Sequence, residues 1–90
     1  MKSSARNLEF EPAAFEDLAW WIQRGQRTTR RILNLLREIR RDPFRGTGKP
    51  EAPKGDSSGF WSRRIDKANR IVYRVEADRI VISVCRGNYD

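Results

Sequence analysis

The chain has 90 residues, the length of one small domain, and a formal net charge of +7. This charge favours a polyanionic partner: nucleic acid, an acidic protein or an anionic membrane. Cys85 is the only cysteine, which excludes an internal disulfide, and the lack of histidine removes the commonest acid–base group and metal ligand. With no signal peptide or membrane-spanning run in sight, we expect one cytoplasmic domain over residues 1–90 with a flexible segment 1–5, and no metal, cofactor or membrane contact.

The N-terminal half predicts a short strand and two helices. Residues 8–10 alternate between apolar and acidic and predict the strand, and Pro12 suits the first turn of a helix. Apolar residues then recur at the spacing of one buried helix face, at Phe15, Leu18, Ala19 and Ile22. The same spacing returns after Gly25, at Ile32, Leu35, Leu36 and Ile39. The two segments therefore predict an antiparallel helix hairpin with one apolar seam.

The C-terminal half predicts a loop followed by strands. Residues 44–58 are rich in glycine and proline, and a loop of that length in so small a domain favours a functional role. Alternating apolar residues predict strands over 60–65, 70–75 and 79–86, joined by short turns. The order β-α-α-β-β-β predicts an α+β fold in which a short N-terminal strand and a two-helix hairpin pack on an antiparallel sheet.

Basic residues on the predicted strands form the first candidate binding surface. Arg70 and Arg74 share one strand face, opposite Ile71, Tyr73 and Val75. Arginine binds phosphate through two parallel hydrogen bonds, so this face is a candidate for RNA. A solvated polar face is the alternative, which the positive charge of the whole chain makes weaker. The set consists of Arg63, Arg64, Lys67, Arg70, Arg74 and Arg86.

Two smaller features could take part in chemistry. Glu51 lies between Lys49 and Lys54 and is a candidate general base, although an isolated surface glutamate usually has no such role. Near the C-terminus, Asn88 can hydrogen-bond a nucleobase and Tyr89 can stack on one; a frayed tail is the alternative. Cys85, inside an apolar strand, is expected to be a buried packing residue.

Two motifs carry a resemblance to a known family. They are GTGKPE over residues 46–51 and SGFWSRRI over residues 58–65, and NRIVY follows over residues 69–73. In this order and spacing they resemble the Txe/YoeB toxins of the RelE superfamily, the toxin halves of bacterial toxin–antitoxin pairs. The resemblance covers nearly the whole chain. It implies a RelE-like, microbial-ribonuclease-like fold, a metal-independent endoribonuclease that cuts mRNA at the ribosomal A site, a YefM-type antitoxin and a homodimer.

The resemblance also implies roles for single residues. Glu51 matches the family's general base, Arg70 the arginine that stabilises the charged phosphorane, and Tyr89 the aromatic that positions the substrate. Asn88 stands where the family has histidine. The residues expected to bind RNA are Lys49, Lys54, Arg63, Arg64, Arg74 and Arg86.

Asn88 leaves several alternatives open. Asparagine cannot donate a proton near neutral pH, and general acid catalysis contributes about 10²–10⁴-fold, so cleavage is expected to be weakened unless an rRNA group, a water or Tyr89 replaces the acid. The substitution is either natural or engineered. The alternative function is a catalytically weak module that only binds antitoxin and ribosome. DNA binding is a weaker third, because neither predicted helix resembles a recognition helix.

Overall fold

The computed structural model describes residues 5–52 and 58–87 and contains two helices and four strands within them. In chain order the elements are β1 (Asn7–Phe10), α1 (Pro12–Arg24), α2 (Gln26–Arg41), β2 (Phe60–Arg64), β3 (Arg70–Val75) and β4 (Arg79–Val84). This order confirms the predicted α+β fold. Residues 1–4 of the N-terminal segment expected to be flexible lie outside the described residues.

The four strands form one sheet in the order β1-β4-β3-β2. The pairs β2–β3 and β3–β4 are antiparallel, as expected for strands joined by short turns. β1 instead runs parallel to β4, with Leu8 opposite Ile80, so the sheet is mixed rather than purely antiparallel. No hairpin turn constrains this pair, because both helices and two strands lie between β1 and β4 in the chain.

The buried face of α1 differs from the predicted one. Ala14 is fully buried and Leu18 and Trp21 pack against the core, whereas Phe15 is 59% exposed and Ile22 is 60% exposed. The predicted placement of Phe15 and Ile22 is therefore wrong. α1 is apolar on most sides, so its spacing fits two helix faces, and packing against the sheet selects the one with Ala14.

The buried face of α2 agrees with the prediction. Its four predicted apolar residues are all buried, and its arginines point away from the core or toward its edge. The four apolar residues pack against the inner face of the sheet, which is formed by Ile71, Tyr73, Ile80 and Ile82. Cys85 is buried in the same core, as predicted. Neither α1 nor α2 has the length and apolar character needed to cross a bilayer.

Candidate functional site

A buried arginine holds the loop that precedes β2. The side chain of Arg63 is fully buried, and its guanidinium donates to the carbonyl oxygens of Asp42 (2.5 Å), Arg45 (2.7 Å) and Thr47 (3.3 Å). It also pairs with the Glu38 carboxylate at 3.2 Å. These contacts correct the RNA-binding role predicted for Arg63: its donors are engaged inside the protein, where RNA phosphates cannot reach them.

Two further side chains complete this network. The Tyr73 hydroxyl accepts a hydrogen bond from Arg63 Nε (3.2 Å) and donates to the carbonyl oxygen of Pro43 (2.6 Å). Glu38 also accepts a hydrogen bond from the Thr47 backbone N–H (2.8 Å), and this bond is the main reason why its pKa lies below the ordinary value. Residues 42–47 are therefore held from β2, β3 and α2 together.

The glycines of the GTGK motif are required by this close packing. Gly46 and Gly48 have φ angles of 128° and 86°, which L-residues rarely adopt. A Cβ at Gly48 would lie 2.9 Å from the carbonyl oxygen of Arg64, and one at Gly46 would clash with the Glu38 and Arg63 side chains. The spacing of the motif thus reflects how the loop passes over the buried arginine.

Beyond the glycines, the loop pairs with the free edge of β2. The Arg64 N–H donates to the carbonyl oxygen of Gly48 (2.7 Å), and Glu51 and Ser62 exchange backbone hydrogen bonds of 3.0 and 2.9 Å. Lys49, between these pairings, is exposed and has a φ of 51°. The pairing fixes Glu51 beside the sheet, which explains how a loop residue takes a defined position.

Glu51 and Arg70 form an ion pair on the sheet face that points away from the helices. Glu51 Oε2 lies 3.3 Å from Arg70 Nη2, and Arg70 Nη1 donates to Ser62 Oγ at 2.9 Å. The Glu51 side chain is 55% exposed and that of Arg70 is 15% exposed. The exposed Arg64 lies opposite Arg70 in the strand register. This part of the sheet thus presents a carboxylate and cationic donors to solvent.

Ser62 was not singled out from the sequence. It lies two residues before Arg64 on β2, so strand alternation places both side chains on the same sheet face. Its hydroxyl is buried and fixes the Arg70 guanidinium. That alternation is the signal that could have identified it.

The chain beyond β4 returns to the start of β3. The Gly87 N–H donates to Asn69 Oδ1 (2.7 Å), and the Arg70 N–H donates to the carbonyl oxygen of Gly87 (2.9 Å). Asn88 and Tyr89 follow directly but, like Lys54, lie outside the described residues. Their roles stay predictions.

The two remaining predicted RNA-binding residues that the structure describes contact other side chains. Arg74 lies four residues along β3 from Arg70, about 13 Å away at strand spacing, and its guanidinium contacts Glu76 at 2.7 Å. Arg86 packs on the ring of Trp20. Over residues 5–52 and 58–87, no three His, Cys, Asp or Glu side chains are arranged as metal ligands.

A family model described as the YoeB-like toxin of bacterial type II toxin–antitoxin systems matches residues 10–89. The chain belongs to this family. A YoeB toxin of Escherichia coli K12 is 42% identical over 82 residues, which is 91% of this chain and 98% of the relative. Toxin RelK of Mycobacterium tuberculosis is 46% identical over 84 residues, with coverage of 93% and 99%. The resemblance predicted from the GTGKPE and SGFWSRRI motifs is thereby confirmed.

Solved structures agree with this membership. A YoeB/ParE toxin from Agrobacterium tumefaciens superposes on the YoeB-like chain with a TM-score of 0.84 at 39% identity, covering 92% of this chain and 99% of the other. A YoeB dimer from Staphylococcus aureus gives a TM-score of 0.83 at 37% identity, with coverage of 96% and 100%. A heterotetrameric YoeB–YefM complex from the same organism gives 0.80 at 37% identity, with the same coverage.

Proposed function

We propose that this YoeB-like toxin is a metal-independent endoribonuclease that cuts mRNA through attack of a ribose 2′-hydroxyl on the adjacent phosphate. The observation that carries the proposal is the Glu51–Arg70 pair, 3.3 Å apart on a solvent-facing part of the sheet. A carboxylate that can accept a proton and a guanidinium that can bind a phosphate are the two groups which the first step of such a cleavage needs.

The reaction would use these groups in turn. Glu51 accepts the 2′-hydroxyl proton as the oxygen attacks phosphorus, and Arg70 donates to the oxygens of the pentacoordinate phosphate. Ser62 orients the Arg70 guanidinium by accepting from Nη1, which leaves other N–H groups for the phosphate. The 5′-oxygen then leaves with a proton, and a 2′,3′-cyclic phosphate remains.

The proton for the leaving oxygen has no histidine donor, since the chain contains none. Arginine holds its proton too tightly to be an efficient acid, and asparagine can only hydrogen-bond. We propose that a ribosomal RNA group, a water or Tyr89 supplies the proton. We also propose that cleavage depends on the ribosome, because arginines outnumber dedicated acid–base groups in this chain. Lys49 and Arg64, both exposed near the pair, would bind phosphates of the mRNA or of ribosomal RNA.

We further propose a YefM-type antitoxin and a homodimer as assemblies of this chain. The Staphylococcus aureus relatives occur as a dimer and as YoeB–YefM complexes. The net charge of +7 suits an acidic antitoxin segment as well as RNA. Action on translated mRNA would place the protein in the cytoplasm.

Toeprinting of a translated mRNA tests the proposal. Purified protein, its Glu51→Gln variant and its Asn88→His variant are each added to stalled ribosomes. Cleavage in the A-site codon is expected with the unaltered chain, rising by about 10²–10⁴-fold with Asn88→His, because general acid catalysis has that magnitude. Glu51→Gln should remove it.

The alternative is a module that binds antitoxin and ribosome without cutting. It is favoured if neither the unaltered chain nor Asn88→His cleaves while both protect the A site from other ligands. If Glu51→Gln cleaves as well as the unaltered chain, the assignment of the general base is wrong.

A further inference from the structure

Two arginine side chains pack on a single tryptophan ring at the side of the molecule where α1 ends. The Cζ atom of Arg24 lies 3.9 Å from the Trp20 ring centroid, and that of Arg86 lies 4.1 Å from it. We call these three residues the Trp20 platform. In the part of the chain that the structure describes, no carboxylate lies within salt-bridge distance of either guanidinium. Two like charges on one ring repel each other, so a bound anion would stabilise this arrangement.

The segment after β4 connects the platform to Arg70 of the Glu51–Arg70 pair. Trp21 Nε1 donates to the carbonyl oxygen of Cys85 (2.8 Å), and Asp17 Oδ2 accepts from the Cys85 N–H (3.0 Å), which ties the segment after β4 to α1. Two residues after Cys85, the carbonyl oxygen of Gly87 accepts a hydrogen bond from the Arg70 N–H. Residues 85–87 therefore run directly from the platform to the arginine that faces the candidate cleavage site.

We propose that the Trp20 platform binds a nucleotide of the cut RNA strand, flanking the scissile phosphate. The guanidiniums of Arg24 and Arg86 would each hold a phosphate, and the outer planes of these guanidiniums, which the Trp20 ring holds in place, offer stacking surfaces for a base. An acidic peptide would need the positive charge but not the flat guanidinium planes that the aromatic ring holds in place. The inference rests on the proposed function, because it takes single-stranded RNA as the substrate.

Equilibrium binding of an uncleavable RNA tests the platform separately from catalysis. The probe is a fluorescent single strand of about ten nucleotides, 2′-O-methylated throughout, whose anisotropy is followed between about 50 and 200 mM salt. The variant is Arg24→Gln/Arg86→Gln in the full chain. The matched control is Arg40→Gln/Arg41→Gln, which removes the same charge from exposed positions in the last turn of α2.

We expect the platform variant to bind about tenfold more weakly and its salt slope to fall by about 1.4, since each phosphate contact on a single strand contributes about 0.7. The control should keep the slope of the unaltered chain. Equal salt slopes for the two double variants would overturn the proposal. It would also be overturned if the platform variant lost affinity only for an acidic peptide and not for the RNA.

A spectroscopic measurement locates the contact. A base stacked on the two guanidiniums should quench part of the Trp20 fluorescence, and Trp20→Phe should abolish that part while keeping a ring against Trp21, which Trp20 contacts edge-on at 5.0 Å. Quenching that persists in Trp20→Phe contradicts the proposal. Because neither assay measures cleavage, a failure of the platform leaves the toeprinting result untouched, and the reverse also holds.

Discussion

Replacement of Arg63 by methionine is the most informative test of how the loop is held. The change keeps an unbranched side chain that reaches about as far as Arg63 Nε, and it removes the guanidinium. Five hydrogen bonds made by that side chain disappear, including three to backbone carbonyls of the loop. The Glu38 carboxylate also loses its cationic partner.

The expected loss of unfolding free energy is about 3 kcal/mol. Breaking a buried ion pair by removing one partner typically costs about 3–5 kcal/mol. The lower end applies here, because the Glu38 side chain is 30% exposed and water can replace part of the lost contacts. A domain of this length has a total stability of about 5–14 kcal/mol, so the change removes a large part of it.

Urea unfolding followed by far-ultraviolet circular dichroism measures this loss. The midpoint should fall while the slope with denaturant stays unchanged. Arg64→Met is the matched control, because it alters the adjacent, exposed arginine and should change the unfolding free energy by no more than about 0.5 kcal/mol. If both variants unfold at the same urea concentration, the buried network does not stabilise the loop as argued.

Three further predictions concern Tyr73, Glu38 and Cys85. Tyr73→Phe leaves the Pro43 carbonyl oxygen without its donor and should lower the unfolding free energy by about 1–3 kcal/mol in the same urea titration. The pKa of Glu38 is lowered in the folded state. Its contribution to stability is therefore fully present above the unfolded-state pKa of about 4.3 and is lost as the pH falls through the folded-state pKa. The difference in unfolding free energy between the unaltered chain and Glu38→Gln should shrink over that pH range. Burial, and then the charge of Asp17, raise the pKa of the Cys85 thiol to about 12, so iodoacetamide at pH 8 should react about 10³-fold more slowly with native than with unfolded protein.

Each of these has a result that would contradict it. An unchanged urea midpoint for Tyr73→Phe would show that water satisfies the carbonyl equally well. A stability difference between the unaltered chain and Glu38→Gln that stays constant from pH 7 to about pH 3 would show that this carboxylate keeps its ordinary pKa when folded. Rapid labelling of native Cys85 would mean that the thiol opens to solvent without unfolding.

The fold could be predicted from the sequence wherever one pattern had a single interpretation. The apolar spacing of α2 is flanked by arginines, so only one face can be buried, and Ile32 and Ile39 are fully buried as expected. α1 carries far fewer charges than α2, and Phe15 and Ile22 were assigned to the wrong face. The parallel pairing of β1 had no local signal, because register between distant strands depends on tertiary packing.

The residues of the candidate site could be named from the sequence, but their geometry could not be predicted. The motifs identified Glu51 and Arg70, but their separation of 3.3 Å depends on a loop whose course is determined by contacts far away in the chain. From composition alone, every arginine is interpreted as a surface cation. Burial separated them, since Arg63 is enclosed, Arg74 is paired with Glu76, and Arg64 remains exposed.

The two adjacent arginines of the SGFWSRRI motif are both needed at that spacing, because they point to opposite faces of the sheet. Strand alternation places Arg63 on the inner face, where it donates hydrogen bonds to the loop carbonyl oxygens. It places Arg64 on the outer face, which carries Arg70. The inward arginine holds the loop whose far end pairs with β2 and places Glu51. A shift by one residue would bury the outward cation and release the loop, so the position of the candidate base depends on strand register as much as on its own identity.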